Sequence, residues 1–405
     1  MSFRTATNFG SRVHLGPNSP VVDFPVAQSN SNGTELYDSN WLREFKHHLS
    51  VDIVSSSMHC CQFDIMGIDA PIANALRRVL LSEVPTMAFE RVIIFQNTSI
   101  IADEVLAHRL GLIPIHADPR RFRYHWEDNV TNGLCTQDKE KSKEPVEHDF
   151  NTLVFALDVE CKRVPSAASS SSNDVKYRDS TIYSRQLTWS PQGHQLYRFS
   201  SPGQQIEPYY KDIILAKLRP GQKIEVELHA EKGIGATHAK WSPVATASYR
   251  LMPTIEFKKP IKGKLARELK KKCPLNVFDL KNKTGKIIEI ENFESKSDDS
   301  HEDDKDIEAI VGAPRNCSMC RECTRGSTPV RTKGKDEEVP WNSLVELSRE
   351  RDHFVYKVET LGHYSPFDVV KEALIVLRQK ALFLKSHIPG GSQSPDTHME
   401  YKSNK

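Results

Sequence analysis

Cys317-Ser-Met-Cys320-Arg-Glu-Cys323 sets three thiols at C-x2-C-x2-C spacing, and a fourth, Cys273, stands before Pro274. Thiolate sulfur is a soft ligand, and three cysteines in one tight turn can face a single point, so this spacing predicts zinc or iron-sulfur binding. Cys60-Cys61 is a different case. Neighbours on a strand point to opposite faces, so this pair predicts two small strand side chains rather than a redox couple. His238, Lys240 and Trp241 form a third candidate; they read as a packed Trp with two rim side chains.

Patterns for covalent or phosphoryl chemistry are missing. The chain has no Walker-type glycine loop, no nucleophile elbow and no H-E-x-x-H, which predicts a protein that is not an enzyme. The carboxylates between 298 and 306 lie on a hydrophilic stretch with no apolar frame to fix Mg2+ geometry. A net charge of +2 with 27% charged residues excludes a chain that grips phosphates with its whole surface. Residues 258–272 do hold eight basic side chains against one acidic, and 294–308 eight acidic against two basic. Such blocks predict solvated or disordered segments, and the basic one lacks aromatic residues for base stacking, so no direct sequence-specific DNA binding is expected. Eight cysteines in 405 residues make no extracellular disulfide framework. With no apolar signal core and no run long enough to span a bilayer, the expectation is a soluble protein in a reducing compartment, with no membrane partner.

The elements that must position these groups follow from periodicity and capping. Asp69 as N-cap, Pro71 in the first turn and Pro85 as a stop predict a helix ending near Glu83. Ile72, Ala75, Leu76, Val79 and Leu80 share one of its faces and Leu81 points nearly opposite, so one core does not cover it. Residues 86–96 predict a strand, and 103–110 a second helix closed by Gly111 and Pro114. Near the C-terminus, Ser365, Pro366 and Asp368 open a helix whose Phe367, Val370, Leu374, Leu377, Ala381 and Leu384 recur at 3, 4, 3, 4, 3, a heptad seam. Val369, Ala373, Val376 and Phe383 widen that face, and a helix this apolar needs cover on more than one side. Between these helices, 117–243 predicts short strands and polar loops. Leu153, Phe155, Leu157 and Val159 alternate there, as do Ile224, Val226 and Leu228 after a Pro220-Gly221 turn. Residues 41–48 predict a short helix, 51–54, 60–68 and 244–257 strands, and 1–40 and the Ser-rich 166–173 disorder.

Asn74-Ala-Leu-Arg-Arg-Val-Leu-Leu-Ser-Glu-Val-Pro85 and Asp103-Glu-Val-Leu-Ala-His-Arg-Leu-Gly-Leu-Ile-Pro114 resemble the dimerisation domain of the alpha-like subunits of cellular RNA polymerases. Phe95-Gln-Asn-Thr-Ser-Ile-Ile-Ala-Asp103 and His116-Ala-Asp-Pro119 are most similar to the larger alpha-like subunit shared by eukaryotic RNA polymerases I and III. The resemblance implies an α+β chain with a discontinuous alpha-like dimerisation domain at 51–116, 244–257 and 340–390. It places an inserted β-rich domain at 117–243, a ferredoxin-like segment at 258–339 and tails at 1–50 and 391–405. In that family the two apolar helices pair with those of a smaller alpha-like subunit. The interface carried over is Ile72, Leu76, Val79, Leu80, Leu81, Phe367, Val370, Leu374, Leu377, Ala381 and Leu384.

The resemblance further implies a non-catalytic assembly subunit that docks the second-largest subunit of a multi-subunit polymerase in the nucleus, including the nucleolus. That enzyme supports synthesis of ribosomal RNA precursors, 5S rRNA and tRNA. The cysteines fit the same picture. Ferredoxins use C-x2-C-x2-C-x3-C-P with a remote Cys-Pro completing the first cluster, and here Ser327 stands where the fourth Cys of the run would be. Cys273, Cys317, Cys320 and Cys323 then suffice for one iron-sulfur cluster or one zinc, or remain reduced thiols in a retained fold. Two rivals stand beside this reading. The alpha-like subunit of RNA polymerase II would carry a cysteine-rich zinc loop in the insert, where this chain has only Cys135 and Cys161. A ferredoxin-like redox protein would not need the two interface helices.

Overall fold

The structure is a computed structural model, and it describes residues 12–15, 20–22, 41–125, 149–163, 177–199, 206–282, 287–288, 307–332 and 335–388. The Ser-rich stretch, the acidic run up to residue 306, the tail 391–405 and most of 1–40 lie outside the described residues. Within 1–40, Arg12–Leu15 and Pro20–Val22 form paired strands. The chain mixes helices with several small antiparallel sheets and falls into two compact units. Among the described residues no helix is long and apolar enough to cross a membrane.

One unit comprises Ile53–Gln62, Asn74–Ser248 and Lys357–Lys405. Its largest sheet has four strands in the order Thr188–Ser190, Thr152–Glu160, Lys223–Ile234, Pro85–Asn97. The alternation read from sequence decides its inner face. Leu153, Phe155, Leu157 and Val159 are buried opposite Ile224, Val226 and Leu228, while Glu225 and Glu227 stay at the surface. Side chains of period two put one set of residues on one face, which burial then pins in register. The helix Asp103–Gly111 adds Leu106 and Leu110 to this core, and Phe89 meets Phe155 edge to face at 5.2 Å between ring centroids. Trp241 is packed as expected: its indole N–H donates to the Glu231 carbonyl at 3.1 Å. Gly233 is required beneath that ring, since a Cβ there would stand 2.4 Å from it. Lys240 donates to the Phe89 carbonyl and pairs with Glu90, and its ammonium lies 4.4 Å from the Trp241 ring centroid, which accounts for the His238 to Val244 segment as packing.

The other unit comprises Met1–Asp52, Phe63–Ala73 and Tyr249–Tyr356. Phe63 stacks on Tyr356 at 5.1 Å, and the Tyr356 hydroxyl donates to the Ala73 carbonyl at 2.7 Å. A separate three-stranded sheet, Ile287–Ile288, Phe278–Asn282 and Ile307–Val311, supports the helix Lys264–Lys272. Here the basic block is ordered as a helix over Lys264–Lys272. Ala266 and Leu269, spaced i and i+3, are fully buried and anchor the helix, so its lysines fan out from a packed stem. Cys61 is buried and Cys60 half-buried, the opposite-face placement their adjacency dictates.

Candidate dimerisation interface and cysteine pocket

The helix Ala70–Ser82 begins and ends where its capping residues place it, with the Asp69 carbonyl accepting from the Ile72 and Ala73 N–H groups. The use of its apolar face is different from expectation. Leu76, Val79 and Leu80 are almost fully buried in the chain's own core, whereas Ile72 is 46% exposed and Leu81 half-buried. Periodicity locates an apolar face without saying what covers it, so three of the five interface residues carried over onto this helix are already covered by this chain.

The C-terminal helix Pro366–His387 opens on a complete cap. The Ser365 hydroxyl accepts from the Asp368 N–H at 3.2 Å and donates to its carboxylate at 2.8 Å, and Pro366 occupies the first position. Val369 and Ala373 are fully buried. The heptad seam lies to the side of them and is open. Phe367, Leu374 and Leu384 are 44%, 51% and 65% exposed, Ala381 is exposed, and Val370 and Leu377 are half-buried. Ile375 and Leu382, which the heptad leaves out, are exposed as well. The helix is fixed beside the first one by Lys380, which reaches both Glu83 carboxylate oxygens at 2.8 and 2.9 Å, and at its foot by the Tyr364 hydroxyl, which donates to the Pro85 carbonyl at 2.9 Å. A contiguous apolar stripe left in water marks an interaction surface.

Beneath the first turn sits His363, a residue the sequence does not flag. It is buried beside a cavity of about 230 Å³ lined also by Asp118, Arg120 and Asp368. Desolvation brings its pKa down to about 4, and its contact with the Met87 backbone falls short of hydrogen-bond geometry.

The four predicted cysteines do come together. Cys273 caps the end of Lys264–Lys272, and Cys317, Cys320 and Cys323 follow on the loop after Ile307–Val311, so all four line one pocket with Ile255, Val277, Phe278 and Leu347. Met319 and Arg321 have left-handed backbone (φ 63° and 66°), which winds the C-x2-C-x2-C loop tightly enough for the Met319 N–H to donate to the Cys317 sulfur at 3.4 Å. Burial raises the Cys317 thiol and pushes Cys323 up to about 12, helped by the other cysteines facing it. All four are free of disulfides. Four sulfurs, an N–H···S contact and apolar walls match a soft cation's donor chemistry. The geometry is looser. Among the described residues no three His, Cys, Asp or Glu side chains converge as a metal would require, and the enclosed space is about 10 Å³, roughly one water.

Comparison with known proteins accounts for the two apolar helices. The RNA polymerase Rpb3/Rpb11 dimerisation domain matches residues 62–381. The chain is 40% identical to the human DNA-directed RNA polymerases I and III subunit RPAC1 over 376 residues, 91% of this chain and 93% of that one. It is 36% identical to the Saccharomyces cerevisiae subunit of the same name over 371 residues, 91% and 95% of the two chains. It is 29% identical to the DNA-directed RNA polymerase subunit Rpo3 of Methanosphaera stadtmanae, covering 82% and 96%. With its dimerisation model spanning both apolar helices and its RPAC1-type relatives matching nearly end to end, this chain belongs to the Rpb3/Rpb11 family of RNA polymerase subunits, as a member of the RPAC1 type.

Proposed function

We propose that this chain is the larger alpha-like subunit of RNA polymerases I and III, a non-catalytic scaffold that pairs with a smaller alpha-like subunit and then docks the second-largest subunit. It works in the nucleus, and for ribosomal RNA precursors in the nucleolus; 5S rRNA and tRNA are the products of the second enzyme. The observation that carries this reading is the open seam of Phe367, Leu374, Ala381 and Leu384 on a helix whose buried side is already used. Burial of a large apolar side chain contributes roughly 1.5 to 3 kcal/mol, so six seam residues closing against a partner make a permanent complex. In this reading Thr152–Glu160, Thr188–Ser190 and Lys223–Ile234 belong to the β-rich insert and share their sheet with Pro85–Asn97 of the dimerisation domain, and the cysteine loop belongs to the ferredoxin-like segment.

A tagged copy purified from nuclei tests the assignment. The large subunits of polymerases I and III should co-purify with it, those of polymerase II should not, and Leu374→Glu should lose both sets. Recovery of polymerase II instead would move the chain to the rival alpha-like class. Recovery of no polymerase would remove the assignment.

Cys273, Cys317, Cys320 and Cys323 are in this account a soft-metal site that supports the fold. Zinc would add tetrahedral cross-linking of the loop to the helix end, and an iron-sulfur cluster the same with redox capacity. Iron, zinc and acid-labile sulfide measured on anaerobically purified protein and on Cys320→Ser separate the cases: zinc alone supports the single ion, iron with matching sulfide the cluster, and absence of both leaves reduced thiols.

A further inference from the structure

We infer that Arg250 and Lys272 are positioning residues that hold the three-cysteine loop assembled whether or not a metal is bound. The strand Val244–Phe257 presents Arg250 to the loop's entrance, where one guanidinium nitrogen donates to the Cys317 carbonyl at 3.1 Å and another to the Arg315 carbonyl at 2.6 Å. At the exit, the Lys272 ammonium donates to the Arg325 carbonyl at 2.9 Å while lying 5.0 Å from the Trp341 ring centroid. Cations thus take up three main-chain carbonyls, at both ends of the segment that carries Cys317, Cys320 and Cys323.

A second tie reinforces the first. The Arg315 side chain turns the other way and pairs with Asp64 on the strand Cys60–Met66 at 2.6 Å. The same Asp64 oxygen is shared with His353 at 3.0 Å, whose other ring nitrogen meets Glu350 at 3.0 Å. Asp64 is 7% exposed, so this is a desolvated, charge-assisted network rather than a loose surface pair. The loop also hangs on its own core: the Trp341 side chain is fully buried and its backbone N–H donates to the Gly326 carbonyl at 3.0 Å.

These contacts invert the usual order for small cysteine modules. Such modules are commonly unfolded until the metal closes them. Here the loop is tied to strands and a helix by side chains that no metal touches, so binding would draw together sulfurs already gathered in one pocket. The inference rests on the loop's anchors and not on the metal assignment.

Limited tryptic cleavage in the full chain, held with its smaller partner, reads the loop directly, because Arg321 and Arg325 are cleavage points within it. With iron and zinc chelators, or in Cys320→Ser, the cleavage rate should stay within about twofold of the untreated protein. In Arg250→Met it should rise about tenfold, the loss of two charge-assisted bonds, while pairing and thermal midpoint are kept. Arg250→Lys, which keeps the charge on a single donor nitrogen, should fall between them and covers the case in which the Met variant folds poorly. A loop that opens tenfold on chelation, or one indifferent to Arg250→Met and Arg250→Lys, overturns the inference. Metal content measured on the same samples keeps the two questions apart: absence of all metal removes the soft-metal site and leaves the anchors standing.

Discussion

The C-terminal helix and the cysteine pocket are both apolar constellations built on helix ends, yet one is open and the other closed. Along Pro366–His387 the chain covers Val369 and Ala373 and leaves Leu374 half in water. Around Cys317 and Cys323 it brings its own walls, Ile255, Val277, Phe278 and Leu347, and fastens the loop with its own cations. In the function proposed above, a second polypeptide completes the open site, whereas the pocket draws its walls from this chain. Substitutions should therefore separate the two: partner binding fails at the helix and survives at the pocket, while intrinsic stability behaves the other way.

The largest expected effect is at the seam. Leu374→Glu forces a carboxylate into an apolar contact and should weaken pairing with the smaller alpha-like subunit by roughly 4 kcal/mol or more, about a thousandfold, while the isolated chain melts as before. Sedimentation of the mixed proteins checks it. Trp341→Ala, in the core beside the pocket, should cost about 3 to 5 kcal/mol in denaturant unfolding of that unit, with partner affinity retained. If Trp341→Ala also abolished pairing at temperatures where it stays folded, the contrast between open and closed sites would fail.

Acid should distinguish the regions as well. His363 is buried neutral, with a folded pKa near 4 against an ordinary 6.5. The unfolded chain takes up a proton first, so the foot of the C-terminal helix loses stability as pH falls from about 6.5 to 4, by about 3 kcal/mol. His353 is shifted the opposite way. The Glu350 carboxylate and then Asp64 raise its pKa against the opposing effect of burial, so its contribution is fully present below pH 6.5 and is lost as pH rises through the folded value. Asp64, held below its usual range by Arg315 and His353 despite burial, contributes above pH 3.8 and fails only on further acidification. Hydrogen exchange followed from pH 7.5 to 4.5 should show the helix foot loosening first, and His363→Gln should flatten that response. The smallest effect is at the cap. Ser365→Ala should cost about 1 kcal/mol of thermal stability and fray the first turn without changing the pocket.

Much of the fold was legible wherever a local rule decides it. Ser365-Pro366 and Asp69 with Pro71 and Pro85 fixed helix ends because capping is chemistry between near neighbours, and alternation set the inner face at Leu153 to Val159. What covers an apolar face is a long-range fact. Leu76 and Leu80 are spaced like interface residues, but the chain uses them in its own core; Leu374 and Leu384 carry the same spacing and are left out. The grouping of Cys317, Cys320 and Cys323 was readable from spacing, and Cys273 joined them through its likeness to the remote Cys-Pro element of ferredoxins. The loop's anchors were not, since Arg250 and Asp64 are single charged residues in strand-like sequence, and only the folded register brings them to the loop's carbonyls. His363 escaped for the same reason. Nothing beside it in sequence announces a buried imidazole.

Hydrogen exchange of the intact chain with and without the smaller alpha-like subunit tests the central contrast most directly. Protection appearing across residues 367–384 and none across 315–325 is the predicted result. An unchanged C-terminal helix, with protection gained at the cysteine loop instead, would contradict it.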